Sequence, residues 1–328
     1  MALKKESGKG RYMKLSFEDY QEIRSWMYRN ARQIDLTRWQ YCFEKGSKEA
    51  VLSALSFYQN DDGGFGHGLE ADSWNPNSSP YTTLRAITIL KEIEFTDVHH
   101  PIIKGILKFL ESGTFRSENG WYFNIPSNDG YAHAPWWTFN MEANAVEGIG
   151  VTAEIAAFVF RYADKDSELY KKALTYTDII INKLGKSEEY GDMGIRGYCV
   201  LLDDIQQANL TWRFDCKFLK ETLSKLIHDS IEVDTTKWVN YTVTPSQYIT
   251  SPESIFYKGN EEIMSRELDY LIETRPQKGV WDITWSWFEN NAKYAKEFAI
   301  SQNWWKAYIT IDKINLLRNF DRLDEQII

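Results

Sequence analysis

The sequence predicts an all-α fold, a ring of six helical hairpins, and three observations carry that prediction. Helical patterning covers most of the 328 residues, strand-like patterning is confined to 120–126 and 238–243, and one helix–turn template recurs along the chain. The template is a helix ending in Leu-x-aromatic, then a Gly-containing turn and a further aromatic. Leu55-Ser56-Phe57 precedes Gly64-Phe65, Leu107-Lys108-Phe109 precedes Gly120-Trp121, and Leu268-Asp269-Tyr270 precedes Gly279-Val280-Trp281. Leu174-Thr175-Tyr176 precedes Gly191, Gly194 and Tyr198, and a degenerate copy, Leu223 with Leu226, precedes Trp238. The copies lie roughly 50 residues apart, the length that a helix pair with its turns requires. These five copies and an N-terminal pair make six hairpins, which can close into a ring around a central cavity.

Each element has a local reason. Ser16 with Asp19 three residues on forms a capping box, and an amphipathic run follows to Arg32. Residues 47–59 form a second helix, ended by Asn60-Asp61-Asp62-Gly63-Gly64. Pro80 and Pro101 take first-turn positions and open helices to Glu94 and Leu110. Further helices are expected over 144–163, 166–184, 193–209, 215–231, 260–274 and 289–318.

Composition sets limits on function. With 43% hydrophobic and 26% charged residues, the chain can bury a substantial core and does not have a disordered composition. Acidic side chains outnumber basic ones, 47 to 38, which argues against a nucleic-acid partner held by phosphate contacts. Cys42, Cys199 and Cys216 make no disulfide framework and fit a reducing, cytoplasmic setting. No apolar run approaches the roughly 18 residues of a membrane helix, and the basic start MALKKESGKGRYMK lacks a signal peptide's apolar stretch. No Pro/Gly/Ser-rich linker divides the chain, so residues 15–328 are expected to form one domain after a flexible tail, 1–14. The distinctive figure is the aromatic content: 13 Trp, 19 Tyr and 17 Phe, side chains that line sites for sugars, apolar ligands and cations.

The segment Leu55 to Phe65 resembles the helix-then-Gln-x-x-x-Gly-Gly-Phe repeat of terpenoid cyclases and protein prenyltransferase β subunits, here Gln59 to Phe65. The run DDGGFGHGLEADSWNPNSSP is similar to that of bacterial members of this superfamily. The resemblance implies an (α/α)6 toroid, a barrel of helical hairpins with an aromatic-lined central cavity. The best copy spans about a dozen residues, and weaker copies spread it over 47–290. The chemical signatures of those enzymes are missing. There is no Asp-x-Asp-Asp; Asp203-Asp204-Ile205-Gln206-Gln207 lacks the third acid of Asp-Asp-x-x-Asp; Asp215-Cys216 lacks the spacing and the histidine of a prenyltransferase zinc site.

Three segments carry residues suited to chemistry. In 61–77, a Gly-rich loop gathers Phe65, His67, Glu70, Asp72 and Trp74. His67, Glu70 and Asp72 can form an acid/base set or metal ligands, or the two acids can cap neighbouring helices. In 129–144, His133, Trp136 and Trp137 stand together as either an aromatic ligand wall or core. In 279–289, Trp281, Trp285 and Trp287 alternate with polar residues, and Asp282 sits among them. Burial would keep Asp282 protonated as a general acid; the alternative is a helix cap. Trp304 and Trp305 read as core, and Cys199 and Cys216 as buried.

Three functions follow as expectations. The first is a terpenoid-cyclase-like enzyme acting on an isoprenoid or other apolar substrate, with Asp282, or a group among His67, Glu70 and Asp72, starting or quenching a cation. It needs no cofactor if protonation starts the reaction, and Mg2+ enters if the substrate is a diphosphate. The second is an (α/α)6 carbohydrate-active hydrolase or lyase, with Glu70 or Asp72 opposite Asp282. The third is a non-catalytic toroid that binds a small molecule or peptide.

Overall fold

The computed structural model describes residues 12–327. Over these residues the chain is all-helical, with no strand and only isolated β-bridges. Its helices are α1 (Phe17–Asn30), α2 (Gln33–Phe43), α3 (Lys48–Ser56), α4 (Pro80–Glu92), α5 (Pro101–Ser112) and α6 (Met141–Tyr162). They continue as α7 (Glu168–Lys183), α8 (Gly191–Gln207), α9 (Cys216–Ser230), α10 (Glu261–Glu273), α11 (Asn290–Lys293) and α12 (Ala295–Asn319).

Helix starts follow local chemistry. Ser16, Ser47, Ser79, Asn140, Ser167 and Asp215 each accept a backbone N–H of the first turn that follows. Pro80 and Pro101 open α4 and α5, and Gly113 closes α5 in the left-handed conformation.

Four expectations are corrected. Helix α2 was not foreseen, because its inward face carries charges: Arg38 is 2.7 Å from Glu92, and Asp35 is 2.6 Å from Arg32. Those buried ion pairs hide the apolar period. Segment 120–126 is not a strand; the N–H groups of Trp121, Phe123 and Asn124 donate to Thr152 Oγ1 and Asn144 Oδ1 on α6. Nor is 238–243, whose first residues end a 3-10 helix, Thr235–Val239, capped by Asp234. The expected helix 289–318 is broken at Tyr294 into α11 and α12.

Helix α6 organises the packing. It lies against α4, α7 and α8. Its approach to α8 is close enough that a Cβ on Gly197 would sit 2.8 Å from Gly150 Cα, so both positions need glycine. α6 is also the one helix among the described residues long and apolar enough to cross a bilayer, but 78% of that apolar window is buried within the fold. At the other end of the chain, α12 packs on α1 and α2. Leu15 pairs with Leu323, and the Arg322 guanidinium donates to Met13 O at 2.9 Å. Residues 12–14 of the expected tail are thus tied to the C-terminal segment, and the rest of that tail, 1–11, lies outside the described residues. One continuous hydrophobic core runs from Leu15 to Leu323.

Candidate functional site

Three distant segments meet at Asp72. The loop between α3 and α4 is held by its own side chains: Asp62 Oδ1 accepts from Gly64 N–H (2.8 Å) and Ser78 Oγ (2.7 Å), and Asn60 Nδ2 donates to Pro76 O. Further along, Ala134 N–H donates to Asp72 O and Trp74 N–H donates to Ala132 O, both at 2.9 Å. This bridge brings Trp136 and Trp137 beside Asp72. Asn290 Nδ2 donates to His133 O (2.9 Å), which docks the third segment. From it, Trp287 Nε1 donates to Asp72 Oδ1 at 2.7 Å and Trp285 Nε1 donates to Asp72 Oδ2 at 3.0 Å.

Asp72 lies in the wall of a cavity of about 490 Å³. Tyr81 from the first turn of α4, Ala143 and Glu147 from the start of α6, and Asp192 and Met193 from the start of α8 contribute one side. Trp136, Trp137, Tyr241, Trp285, Phe288 and Trp305 supply aromatic surface. Behind it, Trp137 stacks on Phe123 with centroids 4.5 Å apart, and Tyr81 packs on Trp137 at the same distance. Phe288 is exposed and has a left-handed backbone, φ 46°. The wall holds four carboxyl groups, Glu70, Asp72, Glu147 and Asp192, and no Lys, Arg or His.

The acids differ in their surroundings. Burial and the neighbouring Glu70 push Asp72 up to about 7, against the pull of its Trp donors. Trp305 favours the same carboxylate from nearby, although its Nε1 makes no hydrogen bond of normal geometry. Burial also raises Glu70, opposed by Arg85, whose Nε lies 3.3 Å from Glu70 Oε2 without the alignment for a hydrogen bond. Arg85 is fixed in turn over the rings of Tyr308 (4.2 Å) and Trp305 (5.2 Å). Glu147 is raised to about 7 by burial and by Asp192, although the Asp192 N–H at the start of α8 donates to it at 3.0 Å.

The other sequence candidates fall elsewhere. Asp282 is half exposed, 2.9 Å from Lys306 Nζ and 3.0 Å from Gln302 Nε2, and is not part of the cavity wall. The burial that would have made it an acid is absent, because its side chain turns to solvent between buried Trp281 and the cavity residue Trp285. His67 is also exposed and bonded to Asn60 Oδ1 at 2.8 Å, so it stands outside the cavity. His133 is buried but spends its ring on Tyr131 O and Thr138 Oγ1, a positioning role. Phe65 and Trp281 are core, with Trp281 Nε1 on Leu271 O. Trp74 stacks on Trp304 and donates to Ser301 Oγ, away from the cavity. Trp287 is fully buried and acts on Asp72 from behind the wall.

Glu147, Asp192, Tyr241 and Trp305 line the cavity and were not among the candidates; Trp305, read as core, contributes wall instead. Cys199 and Cys216 are half-buried rather than buried. For Glu147 the one sequence signal is an acid about two turns after the Asn140 cap, on a largely apolar helix.

A resident magnesium or zinc ion does not fit these residues. Asp72 is occupied by two indole N–H groups, Glu70 faces Arg85, and no set of three His, Cys, Asp or Glu converges among the described residues. Against known proteins, no family model, no curated protein and no solved structure matches the chain.

Proposed function

We propose that the helices form an (α/α)6 toroid and that the chain is a terpenoid-cyclase-like enzyme that protonates an apolar, isoprenoid-like substrate in the Asp72 cavity. The ring reading is supported by successive packing of α4 on α6 and α6 on α8, and by α12 packing on α1 and α2. The observation that carries the chemistry is a carboxyl group that keeps much of its proton near neutral pH in an aromatic wall without a cationic side chain.

The step balances on these residues. Asp72 gives its proton to an alkene carbon, whose π pair forms the new C–H bond, and the adjacent carbon becomes cationic. The indole N–H groups of Trp285 and Trp287 stabilise the carboxylate left behind. Ring faces of Trp136, Trp285 and Tyr241 stabilise the cation by about 0.5–2 kcal/mol each. Glu147 or Asp192 then accepts a proton from the neighbouring carbon and restores a double bond. Phe288 and Tyr241, both exposed, form the entrance side of the wall.

The test is incubation with squalene and with C10 to C20 prenyl diphosphates, with mass spectrometry of the extracts. The expected result is a cyclic or hydrated product that Asp72→Asn abolishes and Asp282→Asn leaves intact. Turnover that survives Asp72→Asn, or none on the whole panel, overturns the reading.

One observation favours a second reading, a carbohydrate-active hydrolase or lyase. Glu147 is a second carboxyl group in the same wall, and glycoside hydrolysis uses two, one to give and one to take a proton. Release of reducing sugar from a glycan panel, lost in both Asp72→Asn and Glu147→Gln, would establish it.

A further inference from the structure

A second cavity, of about 300 Å³, opens at the other end of α4, α6 and α8, with Gln247, Tyr248 and Thr250 on its fourth side. Its volume is at the small end for a ligand site. The charged groups in its wall balance: Lys91, Arg161 and Arg196 against Glu154, Asp203 and Asp204. They are not all used. Lys91 and Arg161, each in the last turn of its helix, both converge on Asp204, at 3.1 and 2.7 Å. That network neutralises the C-terminal ends of α4 and α6.

Arg196, Glu154 and Asp203 make no hydrogen bond or ion pair with the described residues. Glu154 is only 6% exposed, and its Oε1 is buried without a partner. A buried carboxylate oxygen in that state carries a desolvation cost, which rotation of the carboxylate toward a donor in the cavity would offset. Arg196 faces the same space with all its donors uncommitted, and Glu154 is the charge that most favours its cationic form. Between these groups the wall is apolar, from Ile87, Leu90, Phe158 and Val200.

We propose that this cavity binds a small apolar α-amino acid. Arg196 takes its carboxylate through the guanidinium fork, Glu154 takes its ammonium, and the side chain packs on Phe158 and Leu90. Two of the three unused charges are thereby paired, Asp203 staying free, and no net charge is added to a neutral wall. The site is independent of the chemistry at Asp72.

Calorimetric titration of the full chain with L-phenylalanine and L-leucine tests the proposal. Phenethylamine and 3-phenylpropanoate serve as probes carrying one charge each. The expected result is that the zwitterion binds at least about tenfold more tightly than either half, and that Arg196→Gln and Glu154→Gln each weaken it by a similar factor. Asp72→Asn leaves the affinity unchanged. A second readout avoids dependence on the variants folding: bound amino acid slows alkylation of Cys199, which lines this cavity, and not of Cys42 or Cys216. Equal binding of the half ligands, unchanged affinity in folded variants, or no binding and no Cys199 protection up to about 10 mM overturns the proposal.

Discussion

Replacing Asp72 with Asn removes its ionisation, together with the like-charge interaction it shares with Glu70, from the pH dependence of stability. In the unfolded chain this carboxyl ionises near 3.8, and in the fold near 7. The native state therefore holds the proton more tightly. The contribution to stability is full below the unfolded value and is lost as pH rises through 7. Between pH 5 and pH 8 the loss amounts to about 2.7 kcal/mol, from two decades of unequal protonation at 1.36 kcal/mol each. Asn cannot titrate, so the variant lacks this term. Glu147, raised to about 7, and Asp312, raised to about 6, titrate in the same window in both proteins and cancel in the difference. The assay is urea denaturation of both proteins at pH 5, 6, 7 and 8. The expected result is that the wild type loses about 2–3 kcal/mol more than the variant across that range. Parallel curves would refute the raised ionisation and, with it, the argument for Asp72 as a proton donor at neutral pH.

Three further outcomes follow from the same geometry. Trp287→Phe removes the 2.7 Å donor to Asp72 Oδ1, so the Asp72 titration midpoint moves further up in carboxyl-carbon NMR; a fall would contradict the role given to that indole. Arg85→Met leaves Glu70 buried and unpaired and costs about 3–5 kcal/mol in urea denaturation, most of it recovered when Glu70→Gln is added. Gly63→Ala destabilises by more than about 1 kcal/mol in thermal unfolding, because φ is 94° and the new Cβ would lie 2.0 Å from Gly105 O.

The helices were legible in the sequence wherever their signals are local. Ser16, Ser79 with Pro80, and His100 with Pro101 mark starts that the structure places within a residue or two. Where a signal depends on distant partners, the reading failed. Arg38 on α2 is buried because Glu92, far along the chain on α4, neutralises it, and no local pattern announces that pairing. The segment 120–126 lost its strand because α6 supplies side-chain acceptors for its amides.

The site divides in the same way. That 61–77, 129–144 and 279–289 hold unusual densities of acids and tryptophans is plain from composition. Which acid is buried is not. Asp72 and Asp282 both stand beside tryptophans in the sequence, yet Asp72 lies against two indole N–H groups from more than 200 residues away, and Asp282 meets Lys306 in solvent. Glu147 owes its place to the close contact of α6 with α8. Residue type and local periodicity determine helices, caps and the supply of aromatic surface, because those depend on neighbours within a turn or two. Burial, and with it the ionisation of a carboxyl group, depends on which distant segment covers it, and only the tertiary structure decides that.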